Sequence, residues 1–138
     1  MTFPPRVLAA TLLAPCLALL LVLVGPSPLW CAPVEWREVP ASEAGQQWWD
    51  AGSLRVDRGG YLSVLSRFQP AASEEQRRAP LADLYVMQID CAQGLYRDTS
   101  VNGLPRWNAE WRLGSEDPLV AAVLAAACEA GADLLQTA

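Results

Sequence analysis

One uncharged apolar segment divides this chain of 138 residues into two parts of different character. Residues 7–24 read VLAATLLAPCLALLLVLV, interrupted only by Thr11 and Pro15, and Arg6 lies directly before them. A basic residue followed by such a stretch is typical of an export signal. Its length also reaches the lower bound for a membrane-spanning helix, about 17 residues. The segment therefore predicts export or membrane anchoring, and it leaves residues 33–138 for a single small domain.

Two fates of this segment are consistent with the sequence. Signal peptidase needs small residues before the cut, but Pro28 would follow a cut after Ser27, and Trp30 disfavours a cut after Ala32. Residues 1–32 are therefore a signal peptide or an N-terminal membrane anchor with a Pro-rich spacer. The chain is accordingly expected in the periplasm or cell envelope, anchored by residues 7–24 if the segment is retained.

Composition excludes several classes of function. Ten basic residues, all of them Arg, stand against fifteen acidic ones, so the formal charge is -5. This balance argues against nucleic-acid binding and against electrostatic docking on anionic lipid. The chain has no His, which removes the usual general base and the commonest zinc ligand. We therefore predict a non-enzymatic protein without a metal or cofactor.

Two cysteines fall within the exported part, Cys91 and Cys128, whereas Cys16 lies in the apolar segment and Cys31 at its junction. Outside the cytoplasm an isolated pair of cysteines most simply forms a disulfide. Such a bond would close a loop of about 37 residues and add about 3–4 kcal/mol to the free energy of unfolding. The alternative is a pair of unrelated buried thiols.

Short alternating segments separated by turn residues predict a sheet. We predict strands at residues 34–39, 46–50, 61–68, 84–91 and 95–101, with an edge strand at 107–113. In the strongest of these, Tyr85, Met87, Ile89 and Cys91 share one face. Residues 69–80 contain no large apolar side chain and predict an exposed loop.

A helix is predicted after the strands. Ser115 or Asp117 can serve as its N-cap, Pro118 suits its first turn, and Gly131 marks its end. Residues 132–138 are expected to form a flexible tail. Cys128 lies on the apolar stripe of this helix, so a bond to Cys91 would fasten the helix across one face of the sheet. The elements together predict an α+β fold.

Several landmarks in order and spacing resemble the surface-adhesin protein E-like domain family. They are Trp36, Trp48-Trp49-Asp50 before Ser53-Leu54, the strand at 61–68, Asp90-Cys91 followed after four residues by Tyr96-Arg97, Trp111, and Cys128 in a terminal helix. The resemblance covers about residues 34–130 and assigns residues 33–131 to one domain of this type. It implies an antiparallel sheet of about six short strands, with a C-terminal helix tied to one face by a Cys91–Cys128 bridge.

The resemblance also implies a surface protein whose founding relatives bind host extracellular proteins, an activity that is not carried over here. We predict an exported, envelope-associated binding domain with a protein or envelope partner. The alternative is a membrane-anchored accessory or assembly subunit facing the periplasm or a lumen. Exposed sheet edges also allow a homodimer.

Candidate contact residues are aromatic or basic. Trp48 and Trp49 must point to opposite faces of a strand, so one of them is available to a partner unless a helix and a loop partly cover the two faces of the sheet. Arg77 and Arg78 lie in the exposed loop, where the alternative is a solvated charge run balanced by nearby glutamates. Asp90 and Asp98 could serve a small hydrolase if one cleft held both, but ordinary ion pairs also account for them.

Overall fold

A computed structural model of the chain describes residues 32–75, 78 and 80–138. The predicted signal or anchor at residues 7–24 lies outside this range, as does most of the spacer that follows it. The described chain forms an antiparallel sheet followed by a short 3₁₀ turn and two helices. No helix in that range combines the length and apolar character needed to cross a membrane.

The sheet is a meander in which the first six strands pair in chain order. The seventh strand pairs with the fifth, so two short strands share the last position of the sheet. The strands are Trp36–Glu38 (β1), Gly45–Val56 (β2), Leu62–Pro70 (β3), Asp83–Asp90 (β4), Leu95–Val101 (β5), Leu104–Pro105 (β6) and Arg112–Leu113 (β7). The predicted antiparallel sheet with six strand positions is thus confirmed.

The β2 strand is longer than predicted because the expected turn at residues 51–53 is a bulge. The pairing register with β3 shifts between Asp50 and Arg55. The Ser53 hydroxyl donates to the Asp50 carbonyl at 2.8 Å and accepts from the Leu65 amide at 2.9 Å. These bonds satisfy the irregular backbone, so the chain stays in the sheet.

The predicted edge strand at 107–113 is wrong for most of its length. Asn102 and Gly103 both have positive φ angles, 50° and 80°, and form the tight turn that returns β6 along β5. A second turn follows, in which the Ala109 amide donates to the Arg106 carbonyl. Pairing with β5 resumes only at Arg112.

The main helix, α1, spans Pro118–Ala130 and follows the 3₁₀ turn Gly114–Glu116. Asp117 is its N-cap, as predicted, and its carboxylate accepts from the amides of Leu119 and Val120 at 2.8 and 3.2 Å. The helix ends at Gly131, where an added Cβ would lie 2.7 Å from the Leu62 side chain. Glycine therefore lets the helix end approach the sheet.

The C-terminal segment is a helix rather than the frayed tail that we expected. Residues Ala132–Thr137 form α2, and the Leu135 amide donates to the Gly131 carbonyl. Leu135 also packs against the core, which stabilises this short element.

One face of the sheet packs against α1 and forms the core with it. The buried apolar residues are Val39, Trp49, Leu62, Val64, Met87, Ile89, Tyr96, Leu119, Val120, Val123, Leu124 and Ala127. Cys91 and Cys128 form a disulfide beside this core, with their Cα atoms 5.8 Å apart. The predicted pairing is therefore confirmed, and the predicted helix lies where the resemblance placed it.

Candidate functional site

No helix of the described residues lies on the opposite face of the sheet, which is rich in arginine and aromatic side chains. We call it the helix-free face and define it by the half-buried or exposed side chains of Trp36, Trp48, Leu65, Arg67, Leu84, Val86, Gln88 and Arg97. Each alternates along its strand with residues that face away from it. Their partners on the core side include Trp49, Ser66 and Met87, which are buried.

Arg67 lies between two tryptophans on this face. Its guanidinium carbon is 4.3 Å from the centre of the Trp48 ring and 5.2 Å from that of Trp36. Trp48 and Arg67 are directly opposed on β2 and β3, so the sheet register sets this contact. The arginine Nε atom is buried, and no hydrogen-bond acceptor faces it within the part of the chain that the structure describes. The aromatic rings therefore hold the cation in place without neutralising it.

Arg97 forms a second cluster of this kind. Its guanidinium carbon is 4.6 Å from the centre of the Trp111 ring, and Trp111 is braced by Tyr61 at a centroid distance of 4.9 Å. The Arg97 Nε–H donates to the Gln88 side-chain carbonyl at 2.5 Å. The side-chain amide of Gln88 in turn donates to the carboxylate of Asp57.

Asp57 closes this polar chain and remains ionised. Partial burial opposes its charge, but hydrogen bonds from Gln88 and from the amides of Tyr61 and Gly59 more than compensate, and Arg97 adds a favourable charge. The pKa of Asp57 is therefore lowered below its ordinary value. Arg97 is thus oriented through a neutral glutamine rather than through direct pairing with a carboxylate.

The predicted contact residues are distributed over different environments. Trp49 is only 3% exposed and belongs to the core, which removes it from any contact surface, whereas Trp48 lies on the helix-free face. Arg78 is exposed in its loop, and Arg77 lies outside the described residues. Alternation along β3 placed Arg67 beside Leu65, but the sequence alone did not indicate that Trp36 and Trp48 would flank it.

A separate cleft lies on the core side of the sheet. Its volume is ≈ 310 Å³, and its lining includes Tyr85, Tyr96, Asp98, Arg106 and Arg112. Asp98, whose side chain is 11% exposed, accepts from Arg112 at 2.9 Å. Burial raises the pKa of Asp98, although the charges of Arg112 and Arg106 offset part of this effect. The acids and arginines of this cleft can thus neutralise one another.

Asp90 does not join Asp98 in that cleft. The Asp90 carboxylate accepts from the amides of Ala92 and Gln93 at 3.1 and 3.2 Å and so closes the turn after β4. Alternation places the two carboxylates on opposite faces, because Asp98 is paired with Met87 and Asp90 follows Ile89. Within the described ranges, no three acidic or cysteine side chains cluster in a way that could hold a metal ion.

Comparison with models of known protein families assigns the chain to one of them. A model of the surface adhesin-E family matches residues 37–134, which is well over half of the sequence. The chain belongs to the surface adhesin-E family. Membership of this family implies an exported, cell-surface protein. Searches of curated proteins and of solved structures returned no match.

Most of the helix-free face of this adhesin-E domain falls within the matched segment. The match includes Trp48, Arg67, Arg97 and Trp111, and it begins one residue after Trp36. The geometry offers two fixed cations and apolar surface between them on a rigid sheet. Such a surface can bind another macromolecule.

Proposed function

We propose that this adhesin-E domain is a non-enzymatic binding module of the cell envelope and that it binds a protein partner through its helix-free face. One observation carries the proposal: the guanidinium of Arg67 lies between the rings of Trp36 and Trp48 on a sheet face that no helix of the described residues covers. Tryptophan and arginine are the residues most enriched among those that dominate binding energy at protein interfaces.

Rigidity supports this proposal. The contact side chains lie on neighbouring strands, and the opposite face is fastened to α1 by the core and by the Cys91–Cys128 bond. A surface that is already ordered loses little conformational entropy on binding, so more of the contact energy appears as affinity. Trp48 is one of the contact residues that the sequence predicted, and Arg67 and Trp36 extend the surface around it.

The helix-side cleft is a weaker candidate surface. Its most buried acid, Asp98, is already paired with Arg112 at 2.9 Å. A ligand would have to replace that ion pair, whereas a partner on the helix-free face meets two arginines, Arg67 and Arg97, that form no direct ion pair with the described carboxylates. We therefore place partner binding on the helix-free face.

Photo-crosslinking on intact cells tests this placement. Benzoylphenylalanine is introduced into the full chain at position 84 on the helix-free face or at position 134 in α2. The two leucines are matched in exposure, at 37% and 40%. We expect adducts with another protein from position 84 but not from position 134, and their loss when Trp48→Leu is added. Adducts from position 134 alone would place the binding surface on the helix side and overturn the proposal.

The alternative of a membrane-anchored accessory subunit concerns the N-terminal segment rather than this face. The intact mass of the native protein, taken separately from membrane and soluble fractions, separates the two. A species beginning near residues 28–33 in the soluble fraction supports a secreted binding module. A full-length species confined to the membrane fraction favours the anchored subunit, and the search for partners then moves to membrane complexes.

A further inference from the structure

We propose that the partner of the helix-free face is an acidic protein segment that presents two carboxylates, one to Arg67 and one to Arg97, with apolar residues between them. This inference rests on the proposed function, since it names the chemistry of the partner at the same surface. It follows from the state of the two arginines, from their separation and from the surface that lies between them.

Neither arginine forms a direct ion pair with a carboxylate of the described residues. The ion pairs within the described residues join Arg37 to Glu35 and Arg112 to Asp98, and they include neither Arg67 nor Arg97. Arg67 makes no hydrogen bond to described residues, and its Nε is buried without an acceptor. The terminal N–H groups of Arg67 are not buried in this way, and they can form short, charge-assisted hydrogen bonds with an incoming carboxylate.

The tryptophans prepare both cations for this contact. The guanidinium carbon of each arginine lies over a tryptophan ring, 4.3 Å from the ring centre for Arg67 on Trp48 and 4.6 Å for Arg97 on Trp111. Stacking of this kind leaves the edge of the guanidinium, which carries the N–H donors, able to bind a carboxylate in a fork geometry. Lysine could not reproduce such a planar contact.

The sheet register fixes the separation of the two cations. Arg67 pairs with Leu84 and Arg97 with Gln88, so they flank β4 on opposite sides and four residues apart along it. Standard sheet spacings then place their Cα atoms about 16 Å apart. In an extended partner, side chains on one side recur every second residue, so acids four or six positions apart, about 13 or 20 Å, bracket this distance.

The area between the arginines is apolar. Leu65 and Val86 face each other there across β3 and β4, and both are half-buried. Apolar residues between the two acids of the partner would cover them. The chain as a whole has a formal charge of -5, which repels acidic segments. Binding must therefore come from the two stacked arginines and not from a general electrostatic field.

The test uses fluorescein-labelled extended peptides and the full chain, oxidised, in a neutral detergent. Fluorescence anisotropy measures binding of Val- and Thr-rich peptides that carry two glutamates two, four or six positions apart. We expect binding with spacings of four or six and at least tenfold weaker binding with a spacing of two. Replacing either glutamate by glutamine should weaken binding about tenfold, because one charge-assisted pair is lost. This change in the peptide leaves the fold of the protein untouched.

Protein variants identify the contact. Arg67→Gln and Arg97→Gln should each weaken binding about tenfold, and Arg67→Lys should also weaken it although the charge is kept. Arg58→Gln is the matched control: it removes the same charge from an exposed turn and should leave binding unchanged. Equal effects of Arg58→Gln and Arg67→Gln, or equal binding of the glutamine peptides, would overturn the inference.

The outcomes separate this inference from the proposed function. Partner adducts at position 84 without any peptide binding would reject the acidic segment and keep the binding face. If neither adducts at position 84 nor peptide binding were observed, the binding face and the acidic segment would both be rejected. Adducts that join two copies of this chain would reject an acidic partner protein in favour of a homodimer.

Discussion

Cys91, the first residue after β4, is bonded to Cys128 in α1, so the end of a central strand is tied to the helix that covers the core. The two cysteines are 37 positions apart, and the chain between them forms β5, β6, β7 and most of α1. The bond therefore constrains the whole C-terminal third of the domain. It also fastens α1 to the core face of the sheet.

Replacing both cysteines, Cys91→Ser with Cys128→Ser, should lower the free energy of unfolding by about 4 kcal/mol. The reason is that the bond removes the entropy of closing a long loop in the unfolded chain. Urea denaturation of the full chain under oxidising conditions measures the loss. The control is Cys16→Ser with Cys31→Ser, which should retain native stability. A double variant at 91 and 128 as stable as the native protein would contradict the prediction.

The stacking of Arg67 on Trp48 should appear as a coupling energy. In a double-mutant cycle with Arg67→Gln and Trp48→Leu, we expect about 1 kcal/mol of coupling in the free energy of unfolding. Arg37 provides the control, since its guanidinium lies 5.4 Å from the centre of the Trp49 ring on the other face. Arg37→Gln should show no coupling to Trp48→Leu. Similar coupling for both arginines would mean that the cycle reports general destabilisation and not the stack.

Local patterns predicted much of this fold. Alternation assigned the core face of β4 correctly, because Met87 and Ile89 are two positions apart and are both buried. The start of α1 was also predicted, since Asp117 and Pro118 form a cap that depends only on neighbours in sequence. These features depend on residues that lie within a few positions of one another in the sequence.

Features that depend on distant contacts were missed. The chain continues through the expected turn at residues 51–53 because Ser53 bonds to the Leu65 amide, which sequence alone does not place nearby. The short helix α2 depends on the packing of Leu135 against the core. The proposed binding face was only partly predicted for the same reason: the meeting of Trp36, Trp48 and Arg67 requires the register of three strands.

A buried polar pair on the core side of β2 offers a further test of packing. The Gln47 side-chain amide donates to the Ser66 hydroxyl at 2.8 Å, and Ser66 donates to the Trp48 carbonyl at 2.9 Å. Both residues are almost fully buried. Ser66→Ala should cost about 1–3 kcal/mol, because it leaves the amide of Gln47 without its acceptor. Adding Gln47→Met should recover part of that loss in thermal unfolding, and a purely additive double variant would show that the pair is not coupled.

Asp57 and Asp98 should affect stability with opposite dependence on pH. The pKa of Asp57 is lowered, so its carboxylate stabilises the fold above the ordinary aspartate value of about 3.9. That stability is lost as the pH falls through the lower pKa of the folded state. The deficit of an Asp57→Asn variant relative to the native protein should therefore be greatest near neutral pH and shrink below about pH 4.

Asp98 has a raised pKa because it is buried, so its ionised form disfavours the fold even with Arg112 beside it. The native protein gains stability from this site as the pH falls through the raised pKa toward the ordinary value, since the folded state then binds the proton more tightly. An asparagine at position 98 is uncharged at every pH. The free energy of unfolding of the Asp98→Asn variant, relative to that of the native protein, should therefore be highest near neutral pH and lower in acid. Urea denaturation of both variants and the native chain between about pH 3 and pH 7 measures these differences. If the free energies of unfolding of both variants, relative to the native protein, changed in the same direction with pH, burial would not be the dominant influence on Asp98.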